Sequence, residues 1–321
     1  MSQLTLTQAD ELDRLIHTEE VTSGTARMKP HKSPGLDGIP ASFYKIFLHS
    51  LAPILTRVFK FIDNPHNLFP SLREASIVVI SKLGKDKQKV ESYWMISLLS
   101  VDVKLLTGIL AAQLNPQMAD LVIPDQAGFV LLRECCDITK IILHIIAKAK
   151  SSKREILLLP VDAEKTFNHL HWPYLTAMLT HFAFGFWFHN WILSNYGHPR
   201  ATVRVNGHTS TFFTINMGTP QGCLLSYLLF ALYVEPFAEK VSEHPNITVV
   251  RFGGKEHIIC LYADDIIALD NLRTALLAFL EEVGYFSEAE ALQIDIQTSQ
   301  PLNLLVSPHM AAQISSNFPI Q

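Results

Sequence analysis

"CLYADDIIAL" (Cys260–Leu269) sets two aspartates, Asp264 and Asp265, side by side between apolar flanks. The flanks "ICLY" and "IIAL" read as two strands, with the acids at a tight turn between them. Adjacent carboxylates beside a sheet repel each other and resist desolvation. Such a pair persists at an open, solvated hairpin tip, or where a cation neutralises it. The apolar residues run right up to the acids, so a tight turn would hold them beside a sheet; taken alone the pair is more often a solvated turn, and the cation account needs companions. A hard cation needs further oxygen ligands. Asp162 ends another apolar run, "EILLLPVDA" (155–163), and is the candidate. Three acids from neighbouring strand ends suit two Mg²⁺ ions, or Mn²⁺ in their place, clamping the two oxygens of a phosphoryl transfer.

The rest of the chain bounds this reading. Of 321 residues, 48% are hydrophobic and 17% charged, which suits a large core and argues against disorder. The longest apolar run, "CLLSYLLFALYV" (223–234), is too short to span a bilayer, so no membrane partner is expected. No cationic-then-apolar leader opens the sequence. Cys135, Cys136, Cys223 and Cys260 have neither zinc nor disulfide spacing. A reducing, intracellular setting is expected, nucleus and cytoplasm not being distinguished. Oligomeric state leaves no signature. Net charge is −4, but residues 1–160 carry 19 basic against 16 acidic groups and residues 161–321 carry 7 against 14. That asymmetry fits a phosphate-facing part joined to a metal-carrying part, or ordinary surface variation.

Strands and helices interleave. "KPHKSPGLDGIP" (29–40) is a loop, followed by a helix capped by Ser42 with Phe43, Ile46, Phe47 and Leu51 inward. Pro53 is expected to start a second helix, with Ile54, Leu55, Val58, Phe59 and Ile62 inward. "ASIVVISKL" (75–83) is a strand leading into the basic turn "KLGKDKQK" (82–89). Helical periodicity marks 101–118, 137–152 and 171–196. "RATVRVNGHTSTFFTINMG" (200–218) alternates around Asn206-Gly207, a hairpin signal. A long helix follows over 224–241, and a last one from 271 until Gly284. The expected class is α+β, an antiparallel sheet with helices packed on one face.

"DAEKTF" (162–167), "GTPQGCLLS" (218–226) and "LYADDII" (261–267), in that order, resemble the reverse transcriptase domain of non-LTR retrotransposons of the long interspersed type. "KSPGLDGIPASFYKIF" (32–47), "VISKLGKDKQKVESYWMISLLS" (79–100), "DQAGFVLLRECCDIT" (125–139) and "SSNFPIQ" (315–321) extend the resemblance over nearly the whole chain. It implies the fingers and palm of a right-hand polymerase. Residues 1–155 would be a fingers-like region with an N-terminal extension. Residues 156–321 would be the palm, with inserted helices at about 172–196, ending before the primer grip with the thumb absent.

The resemblance implies roles for single residues. Asp162, Asp264 and Asp265 would be catalytic and would bind two Mg²⁺. Phe167 would lie against the incoming sugar and exclude a 2′-hydroxyl. Gln221 and Gly222 would line the nucleotide pocket, glycine allowing close approach. Tyr262 would lie near the primer end, and Lys82, Lys85 and Arg133 would face phosphates or template. The partners implied are an RNA template with a DNA primer, and deoxynucleoside triphosphates. Taken alone, Phe167 equally suits a core position, the lysines a solvated loop, and Gln221 a turn.

Several positions depart from the family's pattern. Trp94-Met95 stand where it has arginine-proline, and a tryptophan cannot donate two hydrogen bonds to a phosphate. Pro160 lies inside an expected interior strand, where it removes a ladder donor. Asn168 replaces a second acid, Leu224 and Tyr227 replace prolines, and Thr298 stands near a usual lysine. These substitutions set up a rival expectation, a catalytically inactive remnant that at most binds nucleic acid. A chain with no stable fold of its own, lacking its thumb, is a second rival, and an unrelated two-metal hydrolase is a third. Phe167 and the Gln221 segment count against it.

Overall fold

A computed structural model of the chain describes residues 2–62, 69–153, 156–163, 167–197, 199–220, 222–247, 250–252, 255–257, 259–262, 265–270, 273–288, 294–295 and 302–304. It divides into two compact units, and the chain enters each more than once. A mixed-sheet unit holds Gln3–Pro116 and Trp172–Ser226; an antiparallel-sheet unit holds Met1–Ser2, Gln117–His171 and Tyr227–Gln321. The expected division at 155/156 falls inside the second of these.

The mixed-sheet unit opens with α1 (Leu6–Leu12) and α2 (Thr18–Arg27). Next come α3 (Ala41–Ile46) and α4 (Leu48–Phe61). Here local expectation is corrected. Ser42 does not cap α3; the cap position is Pro40, without a side-chain hydrogen bond. Phe43, Ile46 and Phe47 are exposed, while Ala41 and Tyr44 are buried. Pro53 does not start α4 but lies inside it, and Ile54 faces out. Leu55, Phe59 and Ile62 do turn inward as expected. The strands β1 (Glu74–Ser81) and β2 (Tyr93–Leu98) pair antiparallel. Then α5 (Val101–Leu114), capped by Ser100, is buried along most of its length. A helix apolar on all sides belongs in a core.

The chain then enters the other unit with α6 (Met118–Leu121), α7 (Cys135–Ser152) and β3 (Ile156–Ala163). It returns to the mixed-sheet unit with two helices where one run of periodicity was read. These are α8 (Trp172–His181) and α9 (Phe186–Tyr196), separated where Ala183 takes φ 60°. After them β4 (Arg200–Val205) pairs parallel to β1. The hairpin to β5 (His208–Thr209) turns at Asn206 and Gly207, with φ of 49° and 81°. Two positive φ values make the type I′ turn that suits strand twist. β6 (Phe213–Thr214) pairs with the other end of β4. The sheet order is β2-β1-β4-β5.

α10 (Leu224–Glu243) continues into the antiparallel-sheet unit and is its central helix. After α10 comes a short ribbon of β7 (Val250–Phe252) and β8 (Lys255–His257), then β9 (Ile259–Tyr262), whose Ile259 and Leu261 share one core with Phe230, Val234, Phe237, Ala238 and Val241. β10 (Asp265–Asp270) follows, then α11 (Arg273–Glu288), which adds Ala278, Phe279 and Val283 to the same core. α11 passes Gly284 rather than stopping there, so burial of its apolar face outweighs the roughly 1 kcal/mol helix cost of glycine. β11 (Ile294–Asp295) and β12 (Leu302–Leu304) both pair with β3. The order β11-β3-β10-β9 is antiparallel throughout. No helix among the described residues is long and apolar enough to cross a membrane. All four cysteines are free.

Candidate active site

The register of the antiparallel sheet brings the mid-chain acid to the acidic doublet. Asp265 of β10 is the Cα partner of Asp162 of β3. On its other side Asp162 is the Cα partner of Asp295 of β11. Directly opposite residues on antiparallel strands share a face, with Cα atoms about 4.5–5.5 Å apart. Three aspartates therefore occupy one row across three strands. Tyr262 extends that row, as the partner of Asp265 on β9. Asp264 and Thr298 lie outside the described residues. Asp295 is a position that sequence reading passes over. Its signal is modest, one acid between two isoleucines in "QIDIQ" (293–297). Among the residues whose side chains are described, no three metal-ligating groups come together.

From Tyr262 a chain of rings runs back to the core. Tyr262 is 6.4 Å from Phe129, and Phe129 stacks on Tyr227 at 4.5 Å. Tyr227 meets Phe167 edge-on at 5.4 Å, and Phe167 lies 5.1 Å from Phe230 of the core. Phe167 is half-buried and packed on that core. Tyr227, one of the departures from the family's pattern, thus takes up the space between Phe129 and Phe167.

The segment carrying Phe129 is tightly held. Ala127 donates to the Leu261 carbonyl and Leu261 donates to the Asp125 carbonyl, both at 2.9 Å, so the segment adds to β9. Arg133, expected to face phosphate or template, has different work here. Its guanidinium donates to the carbonyls of Ile123, Gln126 and Ala119 at 2.6, 2.7 and 3.2 Å. Burial lowers its pKa. Beneath it the Ile123 amide donates to Glu235 Oε1 at 2.8 Å, while Oε2 is buried without a partner. Burial pushes the Glu235 carboxyl up to about 8. Sequence reading missed Glu235 as well, although a lone acid within "LLFALYVEPF" (228–237) is the signal for a buried carboxyl.

The remaining candidates lie in the mixed-sheet unit. The loop before Gln221 is anchored by the Trp172 indole, which donates to the Gly218 carbonyl at 2.9 Å. Buried hydroxyls of Tyr196, Thr219 and Ser226 form a connected trio behind it. Gln221 lies outside the described residues. Gly222 has φ 119°, and a Cβ there would meet the Ser97 carbonyl oxygen at 3.2 Å, so both backbone and space call for glycine. Lys82 is half-buried and Lys85 exposed, at a turn where Gly84 takes φ 73°. Trp94 is exposed on β2.

Residues 84–300 match the family described as "Reverse transcriptase (RNA-dependent DNA polymerase)". The chain belongs to that family, as a reverse transcriptase domain of the long interspersed element type. Among curated relatives it is 28% identical over 258 residues to the transposon TX1 uncharacterized 149 kDa protein of Xenopus laevis, covering 80% of this chain and 20% of that protein. It is 25% identical over 262 residues to the RNA-directed DNA polymerase from mobile element jockey of Drosophila melanogaster, covering 81% and 28%. The chain thus spans less than a third of these relatives. Among solved structures, apo telomerase of Candida tropicalis truncated from its C-terminal domain aligns with TM-score 0.55 at 11% identity, over 75% of this chain and 52% of that one. The shared fold is an α+β, polymerase-like one.

Proposed function

We propose that the chain is the fingers and palm of an RNA-directed DNA polymerase, joining a deoxynucleoside triphosphate to a primer 3′-hydroxyl on an RNA template. The observation that carries this reading is the register row Asp295–Asp162–Asp265. Its donors are hard carboxylate oxygens, which suit Mg²⁺ or Mn²⁺ rather than a soft metal. Asp162 and Asp265 would hold the ions, with Asp264 from the intervening turn. When bound, two such ions lower the pKa of an attacking hydroxyl and neutralise charge on the leaving pyrophosphate. The protein's own part is position. Neighbouring strands fix the spacing of the acids. Phe167, braced by Tyr227 and Phe230, offers the edge of the core to a sugar. Tyr262 sits at the strand end beside the row, suited to a primer terminus. By the family resemblance, Gln221, Gly222, Lys82 and Lys85 would serve the triphosphate and template. The division into residues 1–155 and 156–321 is kept as a functional one.

The second reading, an inactive remnant, is favoured by exposed Trp94 in place of a phosphate-binding arginine. One experiment separates the two. Mg²⁺-dependent primer extension on an RNA template is expected for the wild type, and Asp162→Asn should lower it by about 10³-fold or more. Equal background signal from both proteins would exclude the polymerase reading and leave the remnant. Asp295→Asn, run beside them, should reduce extension less than Asp162→Asn, which lies at the centre of the row.

A further inference from the structure

Phe167 is only half-buried. Phe230 of the core backs its ring, with centroids 5.1 Å apart and planes tilted by 42°. A ring braced on one side alone can turn about its side-chain torsions when a ligand presses on it. Tyr227 supplies a second side. It meets Phe167 in a T-shaped contact at 5.4 Å and 82°. Tyr227 is half-buried in its turn, and Phe129 stacks on it at 4.5 Å and 27°. T-shaped and offset-stacked pairs are the favoured aromatic geometries, each stabilising beyond the area it buries. The rings therefore run in series, from Phe230 in the core through Phe167 and Tyr227 to Phe129.

The outer end of this series is pinned. Phe129 takes φ 61°, a region that few residues other than glycine enter. Such backbone persists where its surroundings over-determine it. Here the Ala127 amide and the Asp125 carbonyl are both bonded to Leu261 of β9. The Gly128 amide donates to Gln126 Oε1 at 2.9 Å, and Gln126 is fully buried. Arg133 closes the loop on the Ile123 and Gln126 carbonyls. Phe129 thus has a fixed backbone behind it, and Tyr227 cannot move outward without displacing a ring that is itself held.

We propose that Tyr227 and Phe129 are specificity-determining positioning residues, holding the Phe167 ring against a ribose 2′-hydroxyl and so setting the preference for deoxynucleotides over ribonucleotides. The inference rests on the proposed function, since it is the sugar of an incoming nucleotide that presses on Phe167. Apolar contact rejects one added hydroxyl only weakly, on the order of 10²-fold. A gate ring that yields therefore forfeits much of its selectivity, and rigidity behind the ring decides how much is kept. Tyr227 stands where the family's pattern has a proline. A proline has no π-face to stack on Phe129, so this brace belongs to the present chain's own residues. The tyrosine acts through its ring, and its hydroxyl has no part in the brace.

The test is primer extension by one nucleotide, reading the ratio of kcat/KM for a deoxynucleoside triphosphate to that for the matching ribonucleoside triphosphate. This ratio does not depend on the fraction of protein that is folded. Tyr227→Ala and Phe129→Ala should each lower it by about tenfold, and the double variant no further than Tyr227→Ala, because the rings act in series. Tyr227→Phe keeps the ring and should hold the ratio within about twofold of wild type. Phe188→Leu, a change in the core of the mixed-sheet unit, should lower stability and leave the ratio within about twofold. An unchanged ratio in Tyr227→Ala, or an equal fall in Phe188→Leu, would overturn the proposal. Para-fluorophenylalanine in place of Phe167 reads the same ring without any activity. Its fluorine resonance should shift and broaden in Tyr227→Ala and in Phe129→Ala, and stay in place in Phe188→Leu. A resonance unmoved by Tyr227→Ala overturns the brace whatever the activity. A wild type that extends no primer, with the resonance moving as expected, fails the polymerase reading instead and removes the sugar role with it.

Discussion

In the antiparallel-sheet unit, charge sits inside the ladder. Asp162, Asp265 and Asp295 are strand residues in one register row. In the mixed-sheet unit, charge sits at the rim, on helix ends and loops such as Arg27, Lys29 and Lys32. The contrast is physical. Acids at directly opposite positions of neighbouring strands have Cα atoms about 5 Å apart, and like charges that close disfavour one another unless a cation is bound. A lysine on a loop extends into water at little cost. Under the proposed function, the first unit would take the cations. Two single aromatics differ as sharply in burial. Phe237 is 1% exposed between α10 and α11, whereas Trp94 is 49% exposed on β2.

The largest effect that sharpens this contrast is on stability. Phe237 lies 5.8 Å from Phe279 and 5.3 Å from Phe286, ring to ring. Phe237→Ala opens a cavity at the centre of the helix–sheet core and should cost about 3–5 kcal/mol in denaturant unfolding. Trp94→Ala should stay within about 0.5 kcal/mol, as a surface change does. Similar costs for the two would mean that Trp94 is packed, and the contrast between the units would fail.

Next in size is the pH dependence set by Glu235. Its ordinary carboxyl value of 4.5 is raised to about 8 in the fold by burial. Below the ordinary value, folded and unfolded chains both hold the proton, and this group adds no pH dependence. As pH rises from there to about 8, the unfolded chain loses the proton and the folded one keeps it. Stability should fall by up to about 1.4 kcal/mol per pH unit across that window and level off above it. Glu235→Gln keeps an oxygen for the Ile123 amide and removes the titration. At pH 8 it should be more stable than wild type by up to roughly 4 kcal/mol, and near pH 4 equal to it. The mixed-sheet unit offers a milder counterpart. Asp102 is also raised by burial there, but a hydrogen bond from Tyr44 pulls it back. Parallel pH curves for wild type and Glu235→Gln would show that the carboxyl is hydrated in solution.

Elements fixed by short-range rules were legible in sequence. Asn206-Gly207 specified its turn because few other residues accept two positive φ values. The strands around the acidic doublet were legible because their apolar runs stop at charged residues. The α3 face was not, because Phe43 and Ile46 fit a helical period equally well facing out, and tertiary packing chose Tyr44 instead. Asp295 escaped notice because register belongs to the pairing of distant strands and leaves no local mark. Arg133 escaped for a related reason. Its partners are backbone carbonyls, and a sequence shows which groups are charged but not which carbonyls lack donors. Tyr227 was read as a departure from a pattern. Only the ring positions show that it fills space beside Phe167.

The smallest effect is expected at Pro160, where the row of acids and the strand that carries it meet. β3 pairs with β10 from Leu157 to Asp162, with Pro160 opposite Ile267. On its other edge β11 reaches Asp162 and Ala163, and β12 reaches Ile156 to Leu158. Among the described residues nothing pairs with Leu159, Pro160 or Val161 on that edge. Pro160 has no N–H, and a proline is tolerated in a strand where its nitrogen faces away from a ladder bond; we expect it to face away from β10. Pro160→Val should therefore change stability by less than about 1 kcal/mol, and primer extension by less than about threefold. A gain beyond 2 kcal/mol would mean that the proline interrupts a ladder bond toward β10. Asp162 would then be held in its row against a local defect, and the inactive-remnant reading would gain physical support.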